Sequence, residues 1–144
     1  MTEFYTRITT QLNKATNIAV KNTCNRALGK LQELIISEFY DAYDPQRPEL
    51  RTMQFYNSAV TQMISKCVGE VFMNPDLMNY SFSGWGWSWD GQTQLEAANQ
   101  GIHGGWSTPE SLQHRYWDAF IEWCDKNILL ILREELIKQH VPLK

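Results

Sequence analysis

The spacing of apolar residues predicts a long helix over residues 1–40. Two sets of apolar positions, each three and four residues apart, lie on different sides of this helix. The apolar side changes near Asn22 and Thr23. The pattern therefore fits one helix whose halves meet different partners, or a helix that breaks at this point. Pro45 and Pro48 predict that a loop follows.

A second long helix is predicted over residues 109–140. Thr108 and Pro109 form a typical helix start. One apolar side of this helix is suited to covering the core. A second apolar side repeats every seven residues and carries Trp123, Leu130 and Ile137. Two apolar sides on one helix indicate a core contact and a contact with a neighbouring subunit.

The middle of the chain predicts a small antiparallel sheet over residues 59–90 and a short helix over 92–101. The sheet begins with a hairpin that turns near 66–69 and ends with a strand that carries Trp85, Trp87 and Trp89. Gly101 ends the short helix, and His103, Gly104 and Gly105 form a loop or hinge behind it. The predicted class is α+β, with residues 1–144 in a single domain.

The composition supports a globular domain and limits the classes of partner that it could bind. The 144 residues are 43% hydrophobic and 12% aromatic, with a net charge of −3. No basic cluster is present, which disfavours binding to nucleic acid phosphates. The longest apolar run, at Ile128–Leu132, is too short to span a membrane, and the first residues do not resemble an export signal. Three widely separated cysteines indicate reduced thiols.

Known catalytic and ligand-binding motifs are missing from the sequence. It has no helical zinc motif, no phosphate-binding glycine loop and no dinucleotide fingerprint, so we expect neither a metal nor a cofactor. The run "IHGGW" is similar to the oxyanion loop of esterases, but the Gly-x-Ser-x-Gly motif of that class is absent. A small enzyme that uses His103 with Cys124 or Asp90 remains a third possibility.

The tryptophan row is the strongest chemical signal. In a strand, Trp85, Trp87 and Trp89 project from one face. Such a row could stack on sugar rings, as in a carbohydrate-binding module, or it could be buried in the core or in a subunit contact. The two apolar sides of the C-terminal helix favour a subunit contact. The predicted interface residues are Trp85, Trp87, Trp89, Trp106, Trp123, Leu130 and Ile137.

Three segments carry a resemblance to a known family. They are "SEFYDAYDPQRPELRTMQFYNSAV" after the first helix, "LEAANQGIHGGW" before the last helix, and "FIEWCDKNILLILREELIKQ" at the end. In this order they resemble the neck and tail-completion proteins of long-tailed bacteriophages. The chain departs from that family in two places. Proteins of the family often have an acidic residue followed by Gly and Thr where this chain has Ile102–Gly105, and they do not usually have a tryptophan row.

The resemblance implies a structural protein of the virion rather than an enzyme. Proteins of that family are small α+β chains that form rings between the tail tube and the head connector. The implied state is a hexameric ring that contacts tail-tube and head-connector proteins and no membrane. The implied location is the tail or neck of the virion, after assembly in the host cytoplasm.

Overall fold

The computed structural model describes residues 2–41, 53–78, 90–99, 102–103, 106–107 and 115–143. Side chains are described from residue 9 onward, except those of 102–103 and 106–107. The elements in chain order are α1 (Thr2–Ile35), a π-helical turn (Ile36–Tyr40), α2 (Gln54–Ser58), β1 (Ala59–Ser65), β2 (Val68–Met73), a 3-10 turn (Pro75–Leu77), α3 (Gly91–Asn99), β3 (Ile102–His103), β4 (Trp106–Ser107) and α4 (Tyr116–Lys138). The predicted α+β class is confirmed, with a long N-terminal helix, a two-stranded antiparallel sheet, a short helix and a long C-terminal helix.

Several predicted boundaries are refined. Helix α1 continues through Asn22 and Thr23, so the alternative with a break there is wrong. The hairpin turns at Lys66–Cys67, and the short helix begins at Gly91. Other expectations lie outside the described residues. These are the proline loop, the tryptophan strand, the Gly101 helix end, the Gly104–Gly105 link and the helix start at Pro109.

The chain divides into two compact units, which we describe separately. Unit 1 comprises Met1–Leu28, Thr61–Val71 and Glu122–Lys144, and unit 2 comprises Gly29–Val60 and Phe72–Ile121. The change of apolar side along α1 agrees with this division, because Ala19 is buried within unit 1 whereas Leu31 is buried within unit 2. A single domain over residues 1–144 stays a prediction.

Aromatic rings form the centre of unit 2. Phe55 of α2 is buried, and its ring centroid lies 4.6 Å from that of Phe39 and 5.0 Å from that of Tyr116. The Phe55–Tyr116 pair meets edge to face, which is a favourable geometry for two aromatic quadrupoles. Burial raises the pKa of the Tyr116 hydroxyl, so this ring stays neutral in the core.

Two asparagines connect the short elements of unit 2. The Asn74 N–H donates to the carbonyl of Ser58 at 2.7 Å, and its side chain accepts from the N–H of Asp76 at 3.0 Å. The Asn99 side chain at the end of α3 accepts from the N–H of Trp117 at 3.2 Å. Because the first N–H groups of a helix have no partner within it, Asn99 satisfies one donor at the start of α4.

The C-terminal end of α4 carries a left-handed residue. His140 has φ 57°. Its N–H donates to the carbonyl of Ile137 at 2.9 Å, and the Val141 N–H donates to that of Leu136 at 3.0 Å. These two bonds form a Schellman motif, in which the left-handed position usually belongs to glycine.

We therefore expect His140→Gly to stabilise the protein by about 1 kcal/mol, because glycine adopts this backbone conformation without steric strain. Urea unfolding measures the change. His140→Ala is the matched control, since alanine retains the strain and loses the imidazole. Equal stability of the two variants would contradict the prediction.

Candidate functional site

Helix α1 contacts the hairpin of unit 1 through one of its sides. The Asn17 side chain accepts from the N–H of Cys67 at 3.1 Å, and the Asn13 carbonyl accepts from the Cys67 thiol at 3.7 Å. Cys67 has φ 60°, so these bonds fix a strained residue at the tip of the hairpin. Farther along, a Cβ on Gly69 would lie 2.7 Å from the sulfur of Cys24, which shows how closely β2 packs on α1.

A different side of α1 contacts α4. Asn22 donates to Glu135 at 3.1 Å, and Arg26 donates to Glu134 at 2.7 Å and to Glu135 at 3.2 Å. A helix turns about 100° per residue, so the two residues that bond α4 point about 140–180° away from the two that bond the hairpin. Within unit 1, α1 therefore lies between the hairpin and α4.

Glu135 is a buried carboxylate held by three donors. Its side chain is 4% exposed. Lys138 donates to it at 2.6 Å, in addition to Asn22 and Arg26. The ammonium of Lys138 is the main cause that lowers the pKa of Glu135, and the Asn22 and Arg26 bonds lower it further against the effect of burial. The carboxylate is ionised at neutral pH and links the two long helices.

We expect Glu135→Gln to lower the free energy of unfolding at pH 7 by about 1 kcal/mol, because it weakens bonds to a charged acceptor. The folded pKa lies below the unfolded value of about 4.3, so the wild-type advantage is present above that value and is lost as the pH falls through the folded pKa. Urea unfolding of both proteins between pH 7 and pH 3 measures the difference. A constant difference across that range would contradict the assignment.

The outer face of α4 in unit 1 exposes large apolar side chains. Leu129 is 75% exposed, Leu130 60% and Ile137 55%. With Arg133, these positions fall within a sector of about 100° on the helix. Ile131 and Glu135 lie on the opposite side and are buried. We call this surface the α4 face; it consists of Glu122, Asp125, Lys126, Leu129, Leu130, Arg133 and Ile137.

The hairpin exposes a second apolar pair. Ile64 of β1 is 60% exposed and Val68 of β2 is 47% exposed. The Gln62 side chain donates to the carboxylate of Glu70 across the same hairpin. We call this surface the hairpin face; it consists of Gln62, Ile64, Lys66, Val68 and Glu70. The hairpin face was not predicted from the sequence, although Gln62 and Ile64 are two residues apart in a strand and therefore share a side.

Three of the predicted interface residues lie on α4. Leu130 and Ile137 are on its exposed face, and Trp123 is half-buried at the edge of that face. The carbonyl of Trp123 accepts from the side chain of Asn127 at 2.8 Å. Trp123 is therefore only in part accessible at the edge of the α4 face.

The remaining predicted residues belong to other segments. His103 pairs with Trp106 between the antiparallel strands β3 and β4, with Gly104 and Gly105 in the undescribed link. The side chains of His103 and Trp106 are not described, and Trp85, Trp87 and Trp89 lie outside the described residues.

Asp90 and Cys124, which the enzyme hypothesis used, have identifiable surroundings. Asp90 accepts from the N–H of Thr93 at 2.8 Å and caps α3, and its bonds to Thr93 lower its pKa. Burial and then the neighbouring Asp125 raise the pKa of the Cys124 thiol. A raised pKa reduces the thiolate form that a cysteine nucleophile needs. Among the described residues, no group of three His, Cys, Asp or Glu side chains is arranged to hold a metal ion.

Comparisons with protein-family models, with curated proteins and with solved structures find no match to this chain. Within the described part of the chain, no helix combines the length and apolar character needed to cross a membrane.

Proposed function

We propose that this protein is a structural component of a bacteriophage virion, a tail-completion or neck protein. It assembles with copies of itself into a ring, a hexamer, that joins the phage tail tube to the head connector. Its action is the burial of surface between subunits, with no chemical reaction. The proposal joins the family resemblance of the sequence to the exposed surfaces of unit 1.

The exposed apolar residues of α4 are the observation that carries the proposal. Single exposed leucines are common on protein surfaces, but apolar patches that share one face are typical of contact surfaces. Leu129, Leu130 and Ile137 share one face of one helix. Covering them in a subunit contact releases the water at this surface, which favours association by roughly 25 cal/mol for each Å² of apolar area buried.

The charges beside this patch suit a specific contact. Glu122 and Lys126 form an ion pair at 3.8 Å on the α4 face, and Asp125 and Arg133 flank the leucines. Interfaces typically combine an apolar centre with a polar rim, and the rim selects the partner and its register. The α4 face has this organisation.

Electron microscopy of the purified protein tests the proposal. We expect ring-shaped particles with a central opening, and we expect these rings to bind the end of isolated phage tail tubes. Leu130→Asp places a charge at the centre of the patch and is expected to abolish the rings. Leu77→Asp is the matched control, because Leu77 is also exposed but lies in unit 2. Rings that persist unchanged with Leu130→Asp would show that α4 does not form the contact.

A further inference from the structure

We infer that the hairpin face of one copy packs on the α4 face of the next copy, so that both halves of a head-to-tail contact are built into unit 1. This inference rests on the proposed ring and names the two surfaces that close it. It adds the hairpin face to the predicted interface, beside the tryptophan row, which lies outside the described residues.

The two faces lie on different sides of unit 1. Within unit 1, α1 bonds the hairpin through Asn13 and Asn17 and bonds α4 through Asn22 and Arg26. These two sets of residues point to nearly opposite sides of α1. The outer faces of the hairpin and of α4 therefore lie on different sides of the unit and do not cover each other.

Two unlike surfaces on different sides of one unit favour a heterologous contact. In such a contact, the first surface of one subunit binds the second surface of the next, and the assembly closes into a ring when the rotation between subunits permits it. A two-fold contact would instead need one surface that is complementary to itself. On the α4 face, a two-fold pairing centred between Leu129 and Leu130 would place Lys126 opposite Arg133, which is unfavourable.

The charged residues follow opposite orders along the two faces. Along the hairpin face, Lys66 at the tip is followed by the apolar pair Ile64 and Val68 and then by Glu70. Along the α4 face, Asp125 is followed by Leu129 and Leu130 and then by Arg133. The hairpin order is cation, apolar, anion, and the helix order is anion, apolar, cation. The two faces are therefore complementary when they are laid side by side.

The spacing of these groups also matches. Two residues of a strand rise about 6.6 Å, and four residues of a helix rise about 6 Å. The step from Val68 to Glu70 on β2 is therefore nearly equal in length to the step from Leu129 to Arg133 on α4, and Lys66 lies in the turn at the other end of the apolar pair. When Ile64 and Val68 lie on Leu129 and Leu130, Lys66 reaches Asp125 and Glu70 reaches Arg133.

The charges concerned are available for such a contact. Lys66, Asp125 and Arg133 form no ion pair with any other residue that the structure describes. Lys126, which follows Asp125 in sequence and would repel Lys66, is already paired with Glu122 at 3.8 Å. The second copy of this chain thus supplies ion-pair partners that the described residues of a single copy do not.

Charge reversal with rescue tests the inference. The variants are Lys66→Glu, Asp125→Lys and the double variant that carries both changes. We expect each single variant to weaken assembly at least about tenfold, because like charges then face each other, and we expect the double variant to assemble within about threefold of wild type. Sedimentation velocity over a concentration series measures the assembly, and far-UV circular dichroism shows that each variant is folded.

A second pair and a control make the outcome specific. Glu70→Lys and Arg133→Glu should behave in the same way, alone and together, whereas Lys14→Glu on the exposed part of α1 should have no effect. If the wild type forms rings and no single variant weakens them, the inference is wrong while the proposed function stands. Single variants that weaken assembly without rescue in the double variants also overturn it. If the wild type forms no oligomer, both fail.

Discussion

Replacing Gly91 with alanine is expected to destabilise the protein by about 3 kcal/mol, at the upper end of what overpacking costs. Gly91 is the first residue of α3, and a Cβ placed there would collide with the carbonyl group of Pro75 in the 3-10 turn. Both colliding groups are fixed to backbone, so neither can rotate away. Relief requires α3 to move relative to the turn. The free energy of unfolding in urea measures the cost.

Gly29→Ala is the matched control for this prediction. Gly29 lies inside α1, and a Cβ added there would meet nothing within 4 Å. Alanine is favoured over glycine in a helix by about 0.5–1 kcal/mol, so this variant should be more stable than wild type. The same substitution is thus expected to have opposite signs at the two positions. A loss below about 1 kcal/mol for Gly91→Ala would contradict the close approach of α3 and the turn.

Replacing Trp123 with alanine is expected to weaken each subunit contact by about 2 kcal/mol or more, because tryptophans dominate the energy of many interfaces. Trp123 lies at the edge of the α4 face and is half-buried, so its removal takes away apolar surface at that edge. Trp87→Ala carries the same expectation. The dissociation constant from sedimentation equilibrium measures the effect.

Leu130→Ala distinguishes an effect on assembly from an effect on the stability of the subunit. The Leu130 side chain is mostly exposed, so its truncation should weaken the contact while leaving the stability of the subunit nearly unchanged. Leu77→Ala, which alters an exposed residue of unit 2, should change neither property. An unchanged dissociation constant for both Trp123→Ala and Leu130→Ala would remove α4 from the interface.

The helices and the hairpin could be predicted because their signals are local. The apolar spacing of α1 and α4 and the two short apolar runs around Lys66 are visible within a few turns of chain. The apolar pattern of α1 fitted either one helix or a break, because its apolar side changes near Asn22. That change reflects different surroundings rather than a break, since α1 contributes residues to both compact units.

The contacts between distant segments could not be predicted from the sequence. Glu135 reads as one of several acids in a charged helix, yet it is buried, because Asn22 and Arg26 approach it from 113 and 109 residues away. The solvent exposure of apolar side chains also depends on contacts between distant segments. Leu130 and Ile137 were predicted at a contact surface from their seven-residue spacing. Leu129, Ile64 and Val68 were not predicted at a contact surface. Their exposure depends on which sides of α4 and of the hairpin pack against α1.

The mass of the wild-type protein in solution tests the central claim most directly. Multi-angle light scattering over a concentration series gives that mass without any variant. The account predicts a closed oligomer, with a mass of about six chains, that dissociates on dilution and is lost with Leu130→Asp. A mass of one chain at every concentration would contradict the claim that the exposed faces of unit 1 assemble this protein with copies of itself.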